Sequence, residues 1–260
     1  MRLTLLLTLL TAVSLWACYD VNARKARNHW SSPLRVALVV LQHGTVDATA
    51  MLSLIARTPA LEARLAAEYA RYQLDGGAGN PARMIEFVAH GPVRVSAPPP
   101  SEPGTTFFAR LRHAYALWRY TRQADEDAGV QTRAYDSRIY VVAEPAKDPG
   151  ELQVEGFSEN GGRVGVARVE LDVSTVDLAL FVATHELFHT LGATDKYDDS
   201  GRTLMPSGLP DPERVPLFPQ PGAEVMARNR VVSANYEVVP ETLEELSVGR
   251  LTAREIGWSD

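Results

Sequence analysis

The chain has 260 residues, 45% of them hydrophobic and 22% charged, an ordinary globular composition that is enough for one sizeable domain or two lobes. Its formal charge of −6, with mixed signs and no cluster of Lys and Arg in the body, argues against a nucleic-acid-binding surface. Cys18 is the single cysteine, so no intrachain disulfide can form and the redox compartment cannot be read from pairing.

Behind Arg2, residues 3–17 are an uncharged apolar run of signal-peptide length, short of the roughly twenty residues a membrane span needs. The run ends Leu15-Trp16-Ala17-Cys18, which resembles a bacterial lipoprotein signal. A plain cleaved signal and an uncleaved anchor fit the same residues. Arg24, Lys25 and Arg27 follow, and basic residues at that place favour the cytoplasmic side. Export to the bacterial envelope or periplasm is still the expectation. Residues 1–18 then form a signal peptide or membrane anchor, 19–33 a linker and 34–260 one domain.

Residues 34–41 are a short β-rich apolar run, expected to be a buried strand. A helical region follows, with Thr58-Pro59 as a start signal and Leu61, Leu65, Ala66, Tyr69 and Tyr72 as its apolar stripe. Residues 76–81, rich in Gly, break it. A second strand is expected over 84–88 and a stiff Pro-rich loop over 97–104. From Thr105 the spacing of Phe107, Phe108, Leu111, Ala114, Tyr115, Leu117, Trp118 and Thr121 predicts a long amphipathic helix with its aromatic residues in the core. Strands are expected over 138–142 and 163–171, the second one partly exposed. Residues 196–221 are irregular, and 242–258 hold one or two short helices closed by Gly257.

Between the expected strand over 163–171 and the irregular segment from 196 lie residues 184–195, Thr-His-Glu-Leu-Phe-His-Thr-Leu-Gly-Ala-Thr-Asp, around which the chain is organised. On a helix, His185 and His189 stand one turn apart on one face, so both imidazoles reach one metal ion. Glu186 sits about 100° round the helix, beside the metal, where it can take a proton from water. Leu180, Ala183, Leu187 and Leu191 form a separate apolar stripe, so the core does not need the histidines. Gly192 lets the chain turn sharply and bring Asp195 back. Two His and one carboxylate are a known Zn2+ set that leaves a fourth position open. Asp198, Asp199, Glu224 and Glu244 are the other carboxylates weighed as third ligand, with Asp195 favoured by its offset from Gly192. His29, His43, His90 and His113 lie outside any paired pattern and are read as solvent or packing histidines.

The HExxHxxGxxD pattern of residues 185–195 resembles the metzincin clan of zinc metallopeptidases. Most of the clan has His at the third ligand position; Asp195 follows a smaller group of bacterial secreted members. The resemblance implies an α+β, two-lobed catalytic domain, with a mixed sheet and helices above the zinc helix and a smaller irregular, helical lower lobe. It also implies a methionine turn under the metal, which either Met205 or Met226 could supply. The strand before the helix, residues 163–171, becomes the candidate edge for pairing with extended substrate. The expected activity is peptide-bond hydrolysis by a zinc-activated water, with Glu186 as general base and His185, His189 and Asp195 as metal ligands. Its partner is a peptide or protein, with no nucleic acid and a membrane tether through the N-terminus. A zinc hydrolase of non-peptide amides or esters and a non-catalytic zinc-binding envelope module are the rival readings.

Overall fold

The computed structural model describes residues 10–11, 14–15, 21–22, 26–72, 84–100, 105–146, 154–158 and 161–259. Most of the 1–18 leader with Cys18, the break at 76–81 and residues 101–104 of the Pro-rich loop lie outside them. No helix among the described residues is long and apolar enough to cross a membrane.

Five strands make one sheet: β1 (Leu34–His43), β2 (Ile85–Val95), β3 (Ser137–Glu144), β4 (Val154–Ser158) and β5 (Val164–Glu170), in the order β2-β1-β3-β5-β4. β2, β1, β3 and β5 run parallel, and β4 joins β5 antiparallel at the edge. Parallel strands need crossover connections, and the helices that supply them cover both faces. Hence β1 is apolar without alternation: residues 36–41 are all fully buried, Val36, Leu38 and Val40 on one face and Ala37, Val39 and Leu41 on the other.

The first face carries α1 (Ala48–Ala56), α2 (Thr58–Ala70) and α4 (Val176–Thr190); the second carries α3 (Phe107–Ala128). Leu61, Leu65 and Tyr69 of the expected α2 stripe are buried in the main core. Past α4 come the short pairs β6 (Ala223–Glu224) with β9 (Leu246–Ser247) and β7 (Arg230–Ser233) with β8 (Tyr236–Val238), then α5 (Arg250–Glu255). The architecture is a mixed α/β sheet with helices on both sides and an irregular segment below α4.

Three expectations are corrected. Residues 163–171 are not an edge, because β5 lies between β3 and β4; the edge is β4, which contains Gly156 and gives little strand signal. The aromatic residues of α3 are not core: Phe107, Phe108, Leu111, Tyr115 and Trp118 are 52–79% exposed. The face that packs on the sheet is carried instead by Leu117, Tyr120, Ala124 and Ala128, which at 3.6 residues per turn fall on the opposite side of the helix. Finally, part of the segment read as linker belongs to the body. Arg27 donates to the Thr190 carbonyl at 3.2 Å, capping the C-terminal end of α4, and Asn28 donates to that of Leu191 at 2.7 Å.

The C-terminus is fastened by Trp258, which is 2% exposed and meets Trp30, Tyr69 and Phe188 edge-on at centroid distances of 5.8, 5.4 and 5.6 Å. Phe188 belongs to α4, so this aromatic knot joins both chain ends to that helix. Trp258→Ala should destabilise the fold by about 3–5 kcal/mol, seen as a lower urea midpoint. A midpoint within error of the wild type would remove the knot from the account of stability.

Candidate metal centre

α4 is buried nearly all round, and only Asp177, Val182 and His189 are not. Such a helix belongs in a core rather than on a surface. Asp172 starts it: its carboxylate accepts from the Ser174 and Thr175 N–H groups while Thr175 Oγ1 accepts from the Asp172 N–H, a capping box. Arg57 holds the first turn by donating to Asp177 at 2.8 Å. Thr190 closes the last turn with a 2.9 Å hydroxyl contact to Ser137 on β3.

Gly192, at φ 100°, takes the conformation expected of it, and the Gly192 and Ala193 N–H groups return to the carbonyls of His189 and Phe188. The turn puts the Ala193 carbonyl 2.9 Å from His189 Nδ1. It also carries Asp195 Oδ1 to 3.2 Å from His185 Nε2 and 3.1 Å from His189 Nε2. His185 Nδ1 lies 2.9 Å from the Val225 carbonyl.

These contacts fix the tautomers. A carbonyl oxygen only accepts, so each Nδ1 carries the proton and, in a neutral ring, each Nε2 presents a bare lone pair. The two Nε2 atoms are 3.0 Å apart. Two lone pairs and a carboxylate oxygen converging on one point repel one another unless a positive charge joins them. Donors about 2.0–2.2 Å from a tetrahedral ion lie roughly 3.3–3.6 Å apart, so the observed triangle closes on such an ion after shifts of a few tenths of an ångström. Neutral imidazoles with Nδ1 held by carbonyls and one carboxylate are a donor set that suits Zn2+. His185, His189 and Asp195 are the group of this kind among the described residues, and no fourth His, Cys, Asp or Glu joins it there.

The titration of the group reflects the same convergence. Burial works against the charged forms of His189 and Asp195, but each is outweighed by its partner: His189 is held above the usual histidine range by Asp195 and Glu186, and Asp195 is held well below the usual carboxylate range by the two histidines.

Glu186 is 2% exposed, its Oε2 has no hydrogen-bond partner, and burial raises its pKa despite the neighbouring histidines. The sheet leaves room for it by omission. A Cβ on Gly156 of β4 would stand 2.0 Å from Glu186 Oε1, and one on Gly165 of β5 would stand 2.9 Å from Glu186 Cβ. Real side chains do not approach so closely, so these glycines are the floor on which Glu186 lies.

Of the two methionine turns, it is the one at Met226 that underlies the centre. Met226 is fully buried and its neighbour Val225 holds His185, whereas Met205 is 45% exposed. Glu224, weighed as a ligand, is instead fully buried in that turn, accepting from the Met226 N–H at 2.6 Å and the Gly249 N–H at 3.1 Å. Asp198 accepts from Ser200 and Arg202 in its own tight turn, and Asp199 and Glu244 are exposed. None of them joins the histidines. Of the other histidines, His43 is 3.1 Å from Glu144 and His90 2.8 Å from Tyr135, away from the centre.

Two residues beside the Asp195 loop carry no signal in the sequence. The Tyr197 ring stacks beside His185 at 6.1 Å, and its phenol is pushed up to about 12 by burial and by the nearby Asp195 carboxylate, so it stays protonated. Glu255 on α5 grips both neighbours of Asp195: it accepts from the Thr194 N–H at 3.0 Å and its hydroxyl at 2.9 Å, and from the buried Lys196 ammonium at 2.7 Å.

No family model matches the chain, and no curated protein does. Among solved structures, an archaemetzincin from Methanopyrus kandleri matches with a TM-score of 0.35 and 18% identity, over 67% of this chain and 81% of that one.

Zinc titration against a competing chelator tests the arrangement. Asp195→Ala should lose most of the affinity, Glu255→Ala should lose about 10–100-fold by releasing the ligand loop, and Asp198→Ala and Asp199→Ala should match the wild type. Equal losses in Asp195→Ala and Asp198→Ala would undo the ligand assignment.

Proposed function

We propose that the chain is a zinc-dependent metallopeptidase whose metal is held by His185, His189 and Asp195 and whose general base is Glu186. The observation that carries this reading is the three-donor convergence with a buried carboxylate, Glu186, one residue from His185 on the same helix, whose Oε2 has no hydrogen-bond partner. A structural zinc is closed by four protein ligands; three, with a base alongside, is the pattern of a hydrolytic site.

Zinc in such a site polarises a carbonyl and makes water acidic enough to react near neutral pH. The remaining work belongs to the chain. Glu186 Oε2 accepts the proton of the water as its oxygen bonds to the scissile carbon, and returns it to the amine nitrogen as the C–N bond breaks. Val225 and Ala193 keep the imidazoles in the ligating tautomer. Glu255 keeps the Asp195 loop in place.

For substrate, the reading favours an extended peptide added beside β4. Among the described residues this strand pairs with β5 alone, and Gly156 on it lies over Glu186, so a peptide paired there would run past the base. In this reading the sheet with its helices forms an upper lobe and residues 196–249 a lower one, with the peptide between them. The N-terminal apolar run exports the protein to the envelope, where the rest of the chain works.

The test combines metal content with turnover on a peptide library. The wild type should hold one zinc per chain, and His189→Ala should lose it. Glu186→Gln should keep the zinc while turnover falls about 10²–10⁴-fold. Gly156→Ala should also keep zinc yet lose turnover, because the added methyl displaces the Glu186 carboxylate. A folded wild type that takes up no zinc, or a Glu186→Gln protein of full activity, would overturn the proposal.

A further inference from the structure

The exposed large apolar side chains of α3 form one continuous stripe. Phe107, Phe108, Leu111, Tyr115 and Trp118 fall within about 100° of arc at 3.6 residues per turn, opposite the side that packs on the sheet. Their rings touch along it: Phe107 with Phe108 at 5.6 Å, and Tyr115 stacked on Trp118 at 5.8 Å. A run of this size on a water-facing helix is costly to keep unless something covers it.

The charges beside the stripe say what. From Phe107 to Ala124 the helix carries Arg110, Arg112, Arg119 and Arg122 and no carboxylate, in a chain whose net charge is −6. Arg110, Arg112 and Arg119 are exposed, and Arg122 lies over the Trp118 ring at 5.6 Å while paired with Glu126. A second copy of this chain would bring the same cations against one another. A protein groove would have to combine an apolar floor with an acidic rim to match this face, whereas the surface of an anionic bilayer offers both everywhere.

Aromatic and aliphatic groups on one arc, with the Arg112 and Arg119 guanidinium groups along one margin and Arg122 within it, match a helix lying in the plane of a bilayer, its rings at the level of the headgroups and its cations among anionic phosphates. We infer that α3 is a peripheral membrane-docking helix that binds the surface of a bilayer containing anionic phospholipid. α4 packs on the opposite face of the sheet, so a protein seated on α3 holds its metal centre on the side away from that helix. Docking through α3 is a contact separate from the N-terminal apolar run, and stable attachment of a protein to a membrane generally takes two such signals.

The test reads Trp118 on the full-length protein mixed with phosphatidylcholine vesicles, with or without phosphatidylglycerol, each carrying brominated acyl chains as quencher. The Trp118→Phe protein supplies the contribution of Trp16, Trp30 and Trp258, so the difference belongs to α3 whatever the leader does. Trp118 emission should be quenched on the anionic vesicles, and the quenching should weaken on neutral vesicles and as salt is raised. Arg112→Glu/Arg119→Glu should raise the lipid concentration for half-maximal quenching by about tenfold or more. Phe108→Ser/Leu111→Ser/Tyr115→Ser should abolish quenching; all five positions are exposed, and unchanged near-ultraviolet circular dichroism would show that the fold is kept. Vesicle-bound protein with Trp118 unquenched, equal quenching on neutral and anionic vesicles, or a dimer in sedimentation that the triple variant dissolves would each overturn the inference.

Discussion

The structure depends on two hydrogen bonds of 2.9 Å, from His185 Nδ1 to the Val225 carbonyl and from His189 Nδ1 to that of Ala193. Each commits one ring nitrogen as a donor and so, in the neutral ring that a metal binds, leaves the other as a lone pair aimed inward. The two carbonyls come from parts of the chain with nothing else in common, the turn that ends α4 and the turn around Met226. Much of the irregular lower segment can be understood as what it takes to deliver them. The Glu224 carboxylate, fully buried, bonds two backbone N–H groups to shape the Met226 turn, and the Lys196 N–H binds the Met226 carbonyl at 2.8 Å to tie that turn to the Asp195 loop. Glu224 keeps its place because its oxygens are met by donors; burial alone would drive it to the neutral form, the direction in which its pKa is displaced.

The same economy governs Glu186. A carboxyl group buried in the centre of a fold is expensive, and the sheet accommodates it by giving up side chains at Gly156 and Gly165. Both residues face α4, on neighbouring antiparallel strands, where bulky strand formers would otherwise stand. Strand propensity has been surrendered at two positions to keep one acid close to the two histidines.

That surrender explains what the sequence could reveal. The helix with its HExxH spacing, the glycine that ends it and the return of Asp195 are consequences of local geometry, so residues 185–195 could be read in advance. The strands with apolar runs, at 34–43 and 137–144, were equally plain. β4 escaped because Gly156 weakens the strand pattern, and it weakens the pattern for the sake of Glu186, a contact thirty residues away. Glu255 escaped for a similar reason: its grip on Thr194 and Lys196 spans about sixty residues and leaves no periodic trace. The choice between Met205 and Met226 needed burial, which two short sequences of similar character do not disclose.

The misreading of α3 has a different origin. A helix with two apolar stripes presents the same periodicity whichever stripe is turned inward, and the natural assumption puts the larger aromatic groups in the core. The sheet face it covers is already filled by Tyr140, Val142, Val39 and Leu41, against which Leu117, Ala124 and Ala128 pack. Phe107, Phe108 and Trp118 are therefore turned outward, with Arg112 and Arg119 beside them. Net charge conceals the result: a total of −6 describes the average surface, while attraction to an anionic bilayer depends on the few cations within about a Debye length of it, roughly 10 Å. One face of the sheet has thus spent its polarity on converging lone pairs, and the other has set an apolar stripe with its own cations toward solvent.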